Sequence, residues 1–107
     1  MNIPDRILDE AFAVYEEWGP NRRIERSKRL QEEFKELSAQ EIESLMKCMS
    51  EVSKTVSSIA EMGGEAKLGR AKMTKLLQEK HPFLKSKGLV HALTLANYYA
   101  WHEGYDQ

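Results

Sequence analysis

Three histidines, one cysteine and a surplus of carboxylates are the raw material for metal binding or nucleophilic chemistry in this chain, and their spacing favours neither. His91 and His102 are eleven residues apart, so they share a helical face but stand roughly 16 Å apart along its axis. No C-x-x-C or H-x-x-x-H spacing occurs, which argues against a closed zinc site. His102-Glu103 reads as surface or interface rather than half of a composite site. Cys48 lies in the most regularly apolar stretch of the chain, where a thiol behaves as a small hydrophobe. A Cys48–His–Asp nucleophile would need tertiary contacts that no local motif announces. Gly63-Gly64 and Gly69 follow neither the Walker nor the dinucleotide spacing, and no strand precedes them. The expectation is a non-enzymatic protein with no metal and no cofactor.

Recognition chemistry is better represented. From Gly88 to His102 there is no Lys, Arg, Asp or Glu. Leu89, Leu93, Ala96 and Ala100 fall on one narrow helical stripe, flanked by Ala92. His91, Thr94, Leu95, Tyr98 and His102 lie opposite, with Val90 and Trp101 on a flank. A helix apolar or aromatic all round is either buried centrally or sits at an interface. The Leu/Ala stripe suffices to dock it, so His91, Leu95, Tyr98, Trp101 and His102 are read as a contact face for a protein partner or a second copy, including a homodimer. Tyr and Trp suit that role because they bury large area while keeping a polar handle. The competing reading makes the same face core, and a small-ligand pocket beneath it is a third.

The alternative function is nucleic-acid binding. Arg22, Arg23, Arg26 and Arg29, with Lys28, form one basic segment, and Lys67, Arg70, Lys72 and Lys75 form another. Against it stand the lack of a recognisable helix-turn-helix and a pI of about 6.3. Arg29 and Glu33 have the i,i+4 spacing of a surface pair, so the first segment also reads as a self-neutralising solvated face.

These residues must be positioned by helices. Ser38 and Glu41 form a capping box, after which Ile42, Leu45, Met49, Val52, Val56 and Ile59 recur at alternating steps of three and four. Gly63-Gly64 supplies the stop. Between the apolar positions lie Ser44, Ser50, Ser53, Ser57, Ser58 and Ala60, small enough for helices to approach on several sides. A three-heptad coiled coil is the competitor, but the flanking positions lack complementary charges. The reading is an all-α fold, a compact bundle of about five helices around a long central helix at residues 38–62, in one domain spanning 1–107.

Before it, Pro4 and Asp5 open a helix bearing Ile7, Leu8, Ala11, Phe12, Val14, Tyr15 and Trp18, whose aromatics are read as core. Trp18-Gly19-Pro20-Asn21 stops it. A turn is expected around 21–26, then a helix capped by Ser27 that runs to about Glu36 with Leu30, Phe34 and Leu37 inward. After the centre, Glu65–Leu68 is an extended link or an early helix start. A helix follows from Gly69 until His81-Pro82, with Met73, Leu76 and Leu77 inward. Phe83 and Leu84 plug the core, and Ser86 caps the last helix, about Lys87 to Glu103.

Charge is polarised along the chain although the net charge is −1. Residues 1–21 carry one base, Arg6, against five acids, a balance of −4. Residues 65–87 carry seven bases against Glu65 and Glu79, a balance of +5. Such polarity either pairs internally or faces an anionic partner. No apolar run reaches the roughly 20 residues of a membrane span. The N-terminal M-N-I-P-D-R lacks the pattern of a leader. A single cysteine cannot form an internal disulfide, so the cytoplasm is the expected location.

Overall fold

The computed structural model describes residues 3–107; Met1 and Asn2, the start of the stretch read above for a leader, lie outside it. The chain forms α1 (Asp5–Tyr15), a 3₁₀ turn (Pro20–Arg23), α2 (Arg26–Glu33), α3 (Ala39–Glu61), α4 (Gly64–Leu68), α5 (Arg70–Lys80) and α6 (Lys87–His102). The architecture is all-α, with no strand among the described residues. None of these helices is long and apolar enough to cross a membrane.

α3 is the strut expected from its spacing. Its six seam residues are all buried, and α3 touches each of the other five helices. The capping box is formed in full: the Glu41 N–H donates to Ser38 Oγ at 3.1 Å and the Ser38 N–H to Glu41 Oε1 at 2.8 Å. Gly63 and Gly64 leave α3 with φ of +104° and +60°, a region that β-carbons disfavour. Gly64 also lies against α6, where an added Cβ would meet Asn97 Oδ1 at 2.8 Å.

The double glycine does not lead into an extended link. Residues 64–68 form one short helix, because Asn97 of α6 accepts the Glu65 N–H at 2.8 Å and satisfies a donor that no local residue caps. The second helix also differs from expectation. Its cap is Glu25 rather than Ser27, two residues earlier, and it ends at Glu33, three residues short of the boundary read from the sequence. Leu30 and Phe34 are buried as expected, and Leu37 packs partly buried against the same core.

A polar contact unites the two ends of the chain. Ser86 occupies the N-cap of α6 but its side chain does not cap that helix. Buried Asp9, on α1, does so instead. Its carboxylate accepts the Lys85 N–H at 2.9 Å, the Ser86 N–H at 3.2 Å and the Ser86 hydroxyl at 2.8 Å. A carboxylate at a helix N-terminus meets both unsatisfied N–H groups and the positive end of the dipole. Two turns of apolar contact extend the junction, since Ile7, Ala11 and Phe12 are buried in one core with Ala92, Leu93 and Ala96.

Candidate functional site

α6 presents an outer face that no other helix covers. Trp101 and Tyr98 are 66% and 51% exposed, with Val90, Thr94 and His102 exposed along the same side. Tyr98 is the hub of this face: its ring lies 5.7 Å from that of His102, 6.1 Å from Trp101 and 5.9 Å from Tyr99. The inner stripe docks the helix as its spacing predicts, with Leu93, Ala96 and Ala100 buried and Leu89 partly so.

Two of the five residues assigned to the contact face are largely covered. Leu95 is buried in the core. His91 is turned against α1, where its Nε2–H donates to the Glu16 carbonyl at 2.8 Å and its ring stacks on Trp18 at 3.8 Å. The reason is geometric. α1 and α6 pack closely along their length, so the flank bearing His91 and Leu95 is covered, and only Tyr98, Trp101 and His102 remain outward.

Trp18 moves in the opposite direction. Sequence places it with Phe12 and Tyr15 in the core, and those two are buried, but Trp18 is 52% exposed because α1 ends at Tyr15. Beyond the helix end its indole no longer follows the apolar stripe. It stands at the edge of the α6 face and, with Tyr98, Tyr99, Leu95, Thr94, Glu16, Glu17 and Arg22, lines a groove of about 480 Å³. That volume lies in the range of ligand and side-chain recesses. A signal for Trp18 was present in the sequence, since the Gly19-Pro20 break directly follows it.

No protein-family model, curated protein sequence or solved structure matches this chain.

The basic segments divide. Arg29 is buried, and its guanidinium donates to five backbone carbonyls: Val14 at 3.0 Å, Tyr15 at 2.7 Å, Asn21 at 3.5 Å, Arg22 at 3.3 Å, and Ile24. No Glu33 pairing forms, because the side chain points inward. Arg26 sits 4.6 Å over the Tyr15 ring, donates to the Tyr15 carbonyl at 3.1 Å and pairs with Glu16 Oε1 at 3.0 Å. Both arginines hold the C-terminal end of α1; Arg29 is buried there, while Arg26 remains half-exposed and paired with Glu16. Arg22 and Arg23 are exposed, as are Lys67, Arg70, Lys72 and Lys75 on α4 and α5. Two of the latter face nearby acids, Arg70 with Glu65 at 3.7 Å and Lys75 with Glu79 at 3.9 Å. Of the first basic segment, Arg29 is thus removed from the surface and Arg26 is paired with Glu16.

On another side of the molecule, Cys48, Glu51, Lys54, Thr55, Ser58, Lys80, His81 and Phe83 surround a recess of about 600 Å³. Burial, reinforced by the Glu51 charge, pushes the Cys48 thiol up and keeps it protonated, the opposite of what a nucleophile needs. His81 is buried with Nε2 2.8 Å from Thr55 Oγ1, which also donates to the Glu51 carbonyl at 3.3 Å. Among the described residues no three His, Cys, Asp or Glu side chains converge as metal ligands do.

His81 carries a pH prediction. Burial and the adjacent Lys80 charge hold its imidazole below the ordinary value of 6.5, with Glu51 pulling weakly the other way. Its folded pKa is therefore lower than its unfolded one, and the unfolded chain binds more protons in between. This contribution is complete above pH 6.5 and is lost as pH falls toward the folded value. Urea midpoints measured from pH 7.5 to 5.5 are expected to decline, and His81→Gln to flatten that decline. Equal slopes for the two proteins would show that His81 is not the group responsible.

Proposed function

We propose that this chain is a non-enzymatic protein-interaction domain whose contact surface is the outer face of α6 around Tyr98 and Trp101, with Trp18 at its border. The observation that supports it is the exposure of Tyr98 and Trp101 in contact on α6, with exposed Trp18 sharing a groove with Tyr98. Soluble chains rarely expose a contiguous aromatic patch unless a partner covers it. The face is rigid, because Leu93, Ala96 and Ala100 anchor α6 beneath it. Nucleic-acid binding is the weaker reading, since Arg26 and Arg29 are committed to α1.

Tyr98→Glu tests the assignment. The side chain is half-exposed, so stability is expected to change by no more than about 0.5 kcal/mol. Association measured by light scattering, or binding of selected peptides, is expected to be lost. A variant that unfolds would assign the face to the core. One that binds as the wild type does would move the interaction elsewhere.

A further inference from the structure

We propose that the occupant of this face is a basic segment of a partner polypeptide, with an apolar or aromatic side chain seated beside Trp18 and Tyr98 and a lysine or arginine seated between Tyr99, Tyr105, Glu61 and Glu103. The proposal rests on the interaction reading above and assigns the chemistry of the partner.

Two recesses carry it. The first is the groove already described, and the second, of about 240 Å³, is lined by Ser57, Ala60, Glu61, Tyr99, Glu103 and Tyr105. Tyr99 is a wall of both, so a single chain segment crossing it reaches both. Their charges differ. In the first, Glu16 is engaged by Arg26 and by the Ser53 hydroxyl at 3.1 Å, one Glu17 oxygen takes the Gly19 N–H at 2.6 Å, and Arg22 stands opposite. That end is close to neutral and mostly hydrocarbon, which suits an apolar anchor.

The second recess contains two carboxylates and no base. Among the described residues neither Glu61 nor Glu103 has a lysine or arginine within 4.0 Å; Glu103 has only His102 Nδ1, at 3.3 Å. Two tyrosines complete the walls. Carboxylates beside aromatic rings attract a cation through both charge and ring quadrupole. A carboxylate or phosphate there would meet like charge.

The test is selection of a random dodecapeptide library displayed on phage against the full chain, followed by fluorescence anisotropy on the enriched peptides. Enriched sequences are expected to combine Lys or Arg with Leu, Phe or Trp. Glu61→Lys with Glu103→Lys should weaken them by about tenfold or more and shift selection toward acidic peptides. Trp18→Ala should weaken them by about tenfold, and Lys72→Gln, on α5 outside both recesses, should not. Circular dichroism checks that each variant keeps its helicity, which these exposed positions permit. Peptides without bases, lost with Tyr98→Glu but indifferent to the charge reversal, would overturn the basic occupant and leave the contact face standing. Concentration-dependent dimerisation abolished by Tyr98→Glu, with no peptide enriched, would make a second copy the occupant and also overturn it. No enrichment and no dimer would remove both.

Discussion

Arg29→Ala is expected to destabilise the fold by about 3–5 kcal/mol, a large part of the roughly 5–15 kcal/mol that holds a domain together. The last carbonyls of α1 have no intrahelical partner, and the negative end of the helix dipole points at the same place. Arg29 meets both needs from α2, with Nε on the Val14 carbonyl and Nη2 on Tyr15, while Nη1 faces the carbonyls of Asn21, Arg22 and Ile24. One planar fork thus ties a helix end to the turn that follows it. Truncation leaves the Val14 carbonyl without its partner and the Tyr15 carbonyl with Arg26 alone, at 3.1 Å. Water can reach the carbonyls of exposed Asn21 and Arg22, which keeps the loss below five full hydrogen bonds. Arg29→Lys is expected to recover less than half, because an ammonium lacks the fork geometry. Arg29→Met keeps the aliphatic packing and isolates the polar part. Urea denaturation gives the loss, and amide exchange at residues 19–25 should accelerate before that of α3. A midpoint unchanged in Arg29→Ala would mean that the turn is held by other contacts.

That arginine also shows where sequence reasoning stops. The central helix was legible because its signals are local: a capping box spans four residues, and a seam at steps of three and four needs only helical geometry. The inner stripe of α6 was legible for the same reason. The role of Arg29 was not, because its carbonyl partners lie five to fifteen residues away across a turn. A weaker signal existed. Arg26, Arg29, Leu30 and Phe34 follow the i, i+3, i+4, i+8 pattern, so both arginines occupy the apolar side of α2. Reading them by charge alone assigned them to an anionic partner. His91 and Leu95 were assigned outward for a similar reason: a helix apolar on two sides does not say which side its neighbour takes. Trp101 lies outward with Val90 and Thr94, opposite the buried stripe, and Tyr98 and His102 lie on the exposed side about two and three turns further along the helix than His91.

The contact between α1 and α6 is the least local of all, and substituting Gly88 exposes it. An added Cβ at this position would lie 2.1 Å from the Asp9 backbone oxygen and 3.0 Å from its carbonyl carbon. Backbone atoms cannot rotate away, so Gly88→Ala must push the two helices apart by about 1 Å to reach ordinary contact. The same displacement stretches the bonds from Asp9 to Lys85 N, Ser86 N and Ser86 Oγ, because they bridge the gap that opens. A loss of about 3 kcal/mol is expected for Gly88→Ala, and more for Gly88→Val, whose branch enlarges the clash. Asp9→Ala removes the bonds without the clash and is expected to cost about 2 kcal/mol, as the loss of a buried helix cap does. The two effects share one cause of failure. Once the helices have separated, the carboxylate has less to lose, so the double variant should fall short of the sum by about 1 kcal/mol. Denaturant midpoints of the four proteins close this cycle. Strict additivity would show that the steric fit at Gly88 and the cap at Asp9 act independently, and that α6 is seated by its apolar stripe alone.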